Sequence, residues 1–156
     1  MRTFAQWLYA TDASEMVRTA PGSIQLIQSV HFVMIALLLI SLILTSFRLR
    51  GRAYAEVPLQ TTFAKFGRIG DLAFVGLLAT GLLMILAEPN RELISSAFWI
   101  KVPVVIALYF IWRGRNRRVL AADATPSVAL PLSLAAAALL VAAIFLGRWI
   151  AYSPTL

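Results

Sequence analysis

The chain has 156 residues, of which 60% are hydrophobic, and its mean hydropathy is +0.82. A composition this apolar excludes an ordinary soluble domain and predicts an integral membrane protein. The 14 Lys and Arg residues against 7 Asp and Glu residues give a net charge of +7. There is no cysteine, which excludes disulfides, thiolate metal sites and thiol catalysis.

The first segment, residues 1–22, is expected to be a periplasmic interfacial helix ahead of the membrane domain. It contains Trp7, Asp12, Glu15 and Arg18 but no continuous apolar run, so it lacks the pattern of a cleaved signal peptide. Asp12 and Glu15 have the spacing of a capping box, which predicts that a short helix begins near Asp12. The apolar side chains of the segment place it at the membrane surface.

Residues 23–156 contain four apolar segments that are long enough to cross a bilayer. The first, at about residues 23–47, has no formal charge, and at ~1.5 Å per residue it exceeds the ~30 Å of hydrocarbon in a bilayer. The other three lie at about residues 71–87, 97–112 and 130–152. The sequence therefore predicts an all-α fold, an integral membrane four-helix bundle with an N-terminal interfacial helix.

The positive charges follow the connections between these segments. Nine of the 14 basic residues lie at residues 47–71 and 113–118, which the positive-inside rule assigns to the cytoplasm. The basic excess is thereby explained without nucleic acid as a partner. We expect a multi-pass protein of the bacterial inner membrane with both termini in the periplasm, in contact with membrane lipid and with other membrane subunits or a second copy of itself.

This topology brings polar side chains from different helices to one depth near the periplasmic side: His31, Met84, Lys101 and Arg148, within roughly two turns of the outer end. Gln28, one turn before His31, lies on the same helix face. Lys101 and Arg148 are close enough to the surface to extend their charges into water, and Met84 is compatible with simple packing. His31 is the only histidine, and at that depth it needs a hydrogen-bond partner, a cofactor or a water-filled cavity.

Histidine in a membrane helix bundle is a frequent axial ligand of haem iron. One histidine cannot supply two imidazoles, so the second ligand would be Met84, Lys101, an open position or the histidine of a second protomer. Zinc and copper sites usually need three or more ligands, which this layer does not offer. A structural hydrogen bond to Gln28 or to a neighbouring helix, and a quinone or lipid headgroup site, are the alternatives. Hydrolytic triads, phosphate loops and paired carboxylates are absent from the sequence, which favours a non-catalytic subunit over an enzyme.

Six stretches resemble, in the same order, a family of small bacterial four-helix inner-membrane proteins of unknown function. They are WLYATDAS at 7–14, IQSVHF around His31, FRLRG at 47–51, TGLLM at 80–84, AFWIK ending at Lys101 and LGRWIAY at 146–152. The chain is also distantly similar to the membrane domains of copper-resistance D-type proteins and of the haem-containing protoporphyrinogen oxidases of bacteria. Those domains have a histidine on the first helix and a lysine that opens a later one, which correspond to His31 and Lys101. Where the family usually has a glutamate this chain has Gln28, which cannot bind a cation or accept a proton as a carboxylate would.

The leading hypothesis is a subunit that binds haem b or quinone near the periplasmic side and transfers electrons to a partner. His31 would be the metal ligand, Met84 a second ligand, and Lys101 and Arg148 would neutralise propionates or a quinone oxygen. The competing hypothesis is a structural or assembly subunit of a larger membrane complex, in which His31 and Gln28 only join helices.

Overall fold

A computed structural model describes residues 2–123 and 125–152. These residues form helices and turns, with seven helices: α1 (Arg2–Tyr9), α2 (Asp12–Thr19), α3 (Ser23–Leu49), α4 (Leu59–Ala87), α5 (Pro89–Ile94), α6 (Ser96–Leu120) and α7 (Pro126–Tyr152). Helices α3, α4, α6 and α7 are long and apolar enough to cross a membrane. This confirms the predicted all-α four-helix membrane bundle. The end of the predicted membrane domain, residues 153–156, lies outside the described residues.

The long helices extend beyond the spans that hydropathy indicates. Helix α4 already begins at Leu59, before the predicted span at 71–87, and α6 continues to Leu120, past the predicted end at 112. Hydropathy marks where a chain leaves the hydrocarbon, whereas a helix ends where its backbone hydrogen bonds end.

The N-terminal segment forms two short helices. The second begins at Asp12, and Thr11 is its N-cap, because the Thr11 side chain accepts a hydrogen bond from the Ser14 amide at 3.3 Å. Helix α1 packs on α5, and α2 packs on α3 and α4. We call this end of the bundle, which carries α1, α2 and α5, the cap end. The opposite end, which carries the α3–α4 and α6–α7 connections, is called the arginine end.

The four membrane helices surround a common interior. Helix α3 packs against α4 and α7, and α6 packs against α7 and α4, whereas no backbone contact joins α3 to α6 or α4 to α7 among the described residues. The last two pairs are therefore diagonal. Side chains on α3 and α6 that point inward consequently face each other across the centre of the bundle.

Buried apolar residues fill the middle and the arginine end of this interior. The larger cluster takes residues from all four helices: Leu38, Leu42, Ala73, Phe74, Leu108, Trp112, Ala136 and Leu140. A smaller cluster lies nearer the arginine end: Leu49, Phe63, Val119 and Ala129. The outer faces are also apolar, with Leu78, Phe110 and Phe145 between 66% and 71% exposed. An apolar exterior over an apolar core is the arrangement expected of helices that contact membrane lipid.

Candidate functional site

His31 joins α3 to α4 near the cap end. Its Nδ1 atom lies 2.7 Å from Oγ1 of Thr80, and the Thr80 side chain is buried. The histidine therefore has the hydrogen-bond partner that its depth requires, and that partner belongs to a neighbouring helix.

The surroundings of Thr80 determine which imidazole nitrogen carries the proton. The threonine Oγ1 lies 2.6 Å from the carbonyl oxygen of Gly76, one turn earlier on α4, so its single hydrogen is donated there. Oγ1 must then accept the hydrogen bond from His31, which makes Nδ1 the protonated nitrogen. A neutral imidazole of this tautomer leaves Nε2 with a free lone pair, able to bind a metal ion or to accept a proton.

Lys101 approaches the same region from α6, on the other side of the bundle. A Cβ atom placed on Gly147 would lie 3.4 Å from Nζ of Lys101. The ammonium group therefore lies close to the α7 backbone, and the absence of a side chain on Gly147 leaves space for it. Lys101 also interacts electrostatically with His31. All four membrane helices thus contribute to one layer.

Glu92 on α5 places a carboxylate near this layer. The residue is only 5% exposed, and it interacts electrostatically with Lys101. Its Oε1 atom lies 4.0 Å from Nη2 of Arg91, which also pairs with Glu88. Burial raises the pKa of the Glu92 carboxyl, and the Lys101 and Arg91 cations oppose that rise. We call His31, Thr80, Glu92, Lys101 and Gly147 the cap-end layer.

Gln28 and Met84 lie next to this layer. Both are half-buried. Gln28 lies about one turn nearer the cap end than His31, and Met84 lies about one turn nearer the cap end than Thr80. They therefore share helix faces with His31 and Thr80.

Arg148 is placed differently from the other four candidates. Its side chain is exposed, donates a hydrogen bond to the Tyr152 hydroxyl, and lies with its guanidinium carbon 4.7 Å from the centre of that ring. His31 and Lys101 interact electrostatically, whereas the Arg148 side chain is directed toward the end of its own helix. Gly147, the residue before Arg148, lies beside the Lys101 ammonium group.

Sequence reasoning missed Thr80, Glu92 and Gly147 as members of the layer. Threonine and glycine on a membrane helix indicate close packing in general, and which helix they approach depends on the tertiary structure. A signal for Glu92 did exist, because a lysine near the start of a membrane helix needs a counter-ion and Glu92 is the carboxylate nearest to it in sequence.

A second polar cluster, at the arginine end, was also missed. Asp71 on α4 accepts hydrogen bonds from Trp112 Nε1 at 3.0 Å and from Arg113 Nη1 at 2.8 Å. These bonds join α4 to α6, so Arg113 has a structural contact in the folded protein.

Arg115 in the same cluster is fully buried. It donates hydrogen bonds to Asn116 Oδ1 at 2.8 and 3.2 Å and to Ser133 Oγ at 2.9 Å. Its guanidinium carbon lies 4.6 Å from the centre of the Trp112 ring and 5.1 Å from the centre of the Phe63 ring. Neutral acceptors and aromatic faces therefore surround this charge. The arginine-rich connection is thus partly a component of the core.

Among residues 2–123 and 125–152, no three His, Asp or Glu side chains are grouped so that they could hold a metal ion. A metal ion at His31 would therefore need most of its ligands from a cofactor.

Comparison with known proteins places the whole fold in one family. No curated protein and no solved structure matches the chain. One family model matches residues 6–153, which include every residue of the cap-end layer. The chain belongs to that family, a family of unknown function designated DUF6644.

Proposed function

We propose that this protein is a membrane subunit that binds haem b at the cap-end layer, with Nε2 of His31 as an axial ligand, and exchanges electrons with a partner subunit. The main observation in support is the His31–Thr80 hydrogen bond at 2.7 Å. Histidines that bind metal ions commonly donate the other ring N–H to a neighbouring group, which orients the ring and keeps Nε2 unprotonated.

The donor set of the layer fits this cofactor. The porphyrin supplies four nitrogen ligands and a redox-active iron, so a single protein nitrogen is sufficient. Lys101 offers an ammonium group for a propionate, and Glu92 limits the cost of keeping that cation partly buried. Met84 carries a thioether one turn from Thr80, on a side of α4 that faces the bundle. Small residues at Gly147 and Gly76 keep the helix backbones close to this region.

Two further points support the proposal. The sequence resemblance to bacterial haem-containing oxidases concerns the histidine of the first helix and the lysine that opens a later one, and these two residues interact electrostatically here. The arginine-rich connections lie at the opposite end of the bundle, which supports a location in the bacterial inner membrane with the layer on the periplasmic side.

Lys101 also supports a second candidate, a quinone site. An ammonium group at Lys101 can donate a hydrogen bond to a quinone carbonyl oxygen. Nε2 of His31 would then accept the hydrogen bond of a quinol hydroxyl. The two candidates require the same residues and differ in what must be bound.

A visible absorption spectrum of the detergent-purified protein, produced with ample haem, tests the first candidate. We expect a Soret band that His31→Ala abolishes and that Thr80→Val reduces, because losing the partner of Nδ1 costs roughly 10- to 100-fold in metal affinity. Ser29→Ala is the matched control, since this exposed serine on α3 bonds only to the Gln25 carbonyl of its own helix. Met84→Leu should change the spin state if sulfur is the second ligand.

Absence of a Soret band would end the haem proposal. Titration with a short-chain quinone then decides between the remaining functions. Binding that His31→Ala and Lys101→Ala weaken indicates a quinone site, whereas no binding leaves a structural or assembly subunit, in which the His31–Thr80 bond only joins two helices.

A further inference from the structure

A second candidate site opens at the cap end, separate from the cap-end layer. It is a cavity of about 400 Å³ between the N-terminal helices and α5, with Arg18, Glu88, Asn90 and Arg91 as its charged and amide-bearing residues. This volume is within the ~300–1,000 Å³ typical of ligand pockets. None of the layer residues lines it.

The remaining walls place the cavity at the depth of lipid headgroups. Ile24 lies in the first turn of α3, and Ala87 is the last residue of α4; both line the cavity. Both residues also lie at the outer ends of the apolar spans at 23–47 and 71–87, and hydropathy marks where a chain leaves the hydrocarbon. A molecule in this cavity would therefore have its polar part at the membrane surface and an apolar edge toward the bilayer.

The charges of the cavity favour an anion. Two guanidinium groups and one carboxylate line it, and Glu88 is already paired with Arg91. Arg18 has only neutral contacts: its guanidinium carbon is 3.8 Å from the Tyr9 ring centre, and its Nη1 atom is 3.5 Å from the Tyr9 carbonyl oxygen. The lining residues thus carry one positive charge in excess, which belongs to Arg18, because Arg91 lies between the carboxylates of Glu88 and Glu92.

Two buried polar atoms of the lining residues have no hydrogen-bond partner among the described residues. They are Oδ1 of Asn90, an acceptor, and Nε of Arg91, a donor. Each of these atoms has less than 1 Å² of accessible surface, so they lie behind the cavity wall, and a bound molecule would contact the accessible atoms of the lining residues.

We infer that this cavity binds the headgroup of an anionic phospholipid. The phosphodiester accepts hydrogen bonds from Arg18 and Arg91, since guanidinium groups match the geometry of phosphate oxygens. Phosphatidylglycerol has no cationic group in its headgroup. Phosphatidylcholine fits worse, because its trimethylammonium group adds a positive charge beside two arginines.

The inference is tested by lipid retention of the whole protein. The protein is reconstituted in nanodiscs of phosphatidylcholine mixed with phosphatidylglycerol, transferred to detergent, and analysed by native mass spectrometry. We expect one retained phosphatidylglycerol in preference to phosphatidylcholine, and about a tenfold loss of retention in Arg18→Gln, in which one charge-assisted hydrogen bond is removed. Arg118→Gln is the control, because it removes one exposed positive charge at the arginine end, where basic residues attract anionic lipid without a pocket.

Equal retention of the two lipids by the unmodified protein would overturn the inference, as would a loss in Arg118→Gln as large as that in Arg18→Gln. If Arg18→Gln does not fold, as judged by circular dichroism, Asn90→Asp replaces it, because it adds a negative charge to the cavity and retains both guanidinium groups. We expect the same loss of phosphatidylglycerol in that variant, and unchanged retention would refute the proposed site.

Discussion

Gly70 is the position where the packing of α4 against α6 leaves least room. A Cβ atom placed on it would lie 2.1 Å from Cζ2 and 2.5 Å from Cη2 of Trp112. The indole cannot easily move away, because its Nε1 donates to Asp71 and its ring touches Phe74 and the Arg115 guanidinium. Gly70→Ala therefore forces either the helix or a fully buried ring to shift.

The expected cost follows from two opposing effects. Overpacking of a filled core costs about 1–3 kcal/mol, and a 2.1 Å approach to a fixed ring belongs at the upper end of that range. Replacing a glycine by alanine inside a helix returns up to ~1 kcal/mol. We expect Gly70→Ala to lower the free energy of unfolding by about 2 kcal/mol.

Unfolding in mixed detergent micelles, followed by circular dichroism and tryptophan fluorescence, measures this change. Gly81→Ala on the same helix is the control, since nothing lies within 4 Å of its added Cβ, and it should be neutral or stabilising by up to ~1 kcal/mol. Trp112→Phe removes the indole atoms nearest the added methyl group, so in the double variant the cost of Gly70→Ala should fall by about 1 kcal/mol or more. Equal stabilities of the two alanine variants would refute the packing argument.

Two further predictions concern buried ionisable side chains. Burial raises the pKa of Glu92 above its ordinary value of 4.5, so the folded state favours the protonated carboxyl. The free energy of unfolding should therefore fall as the pH rises from 4.5 through the pKa of the folded state. Glu92→Gln should remove this part of the pH dependence, which thermal unfolding of both proteins from pH 4 to 7 measures. If stability changes with pH in the same way in the variant and in the unmodified protein, this prediction is wrong. Arg115→Ala should cost about 2–5 kcal/mol, since it leaves a cavity between Phe63 and Trp112 and deprives Asn116 of its donors. Arg115→Met, which fills the space, should recover a large part of that loss, and equal stabilities of the methionine and alanine variants would argue against the packing role.

Small residues show why a sequence pattern could indicate close packing without identifying the partner. Gly76, Thr80 and Gly81 on α4 all suggest a packed helix side. In the structure, a Cβ on Gly76 would meet the Met34 sulfur at 2.6 Å, whereas Gly81 has open space. Thr80 serves a different purpose, because its hydroxyl binds the imidazole of His31. Residue size is visible in a sequence, but the helix that lies opposite is not.

The sequence by itself determined the class of protein, the four membrane helices and the two groups of basic residues between them, because these follow from hydropathy and charge counted along the chain. It also identified His31 and Lys101, since a polar group in a membrane helix stands out by its cost. Only the tertiary structure decided that Thr80 holds the histidine ring, that Gly147 rather than Arg148 meets Lys101, and that Arg115 is buried. Those facts depend on which way each helix is turned and which neighbour it faces, and contacts between residues far apart in sequence leave no periodic signal in a single chain.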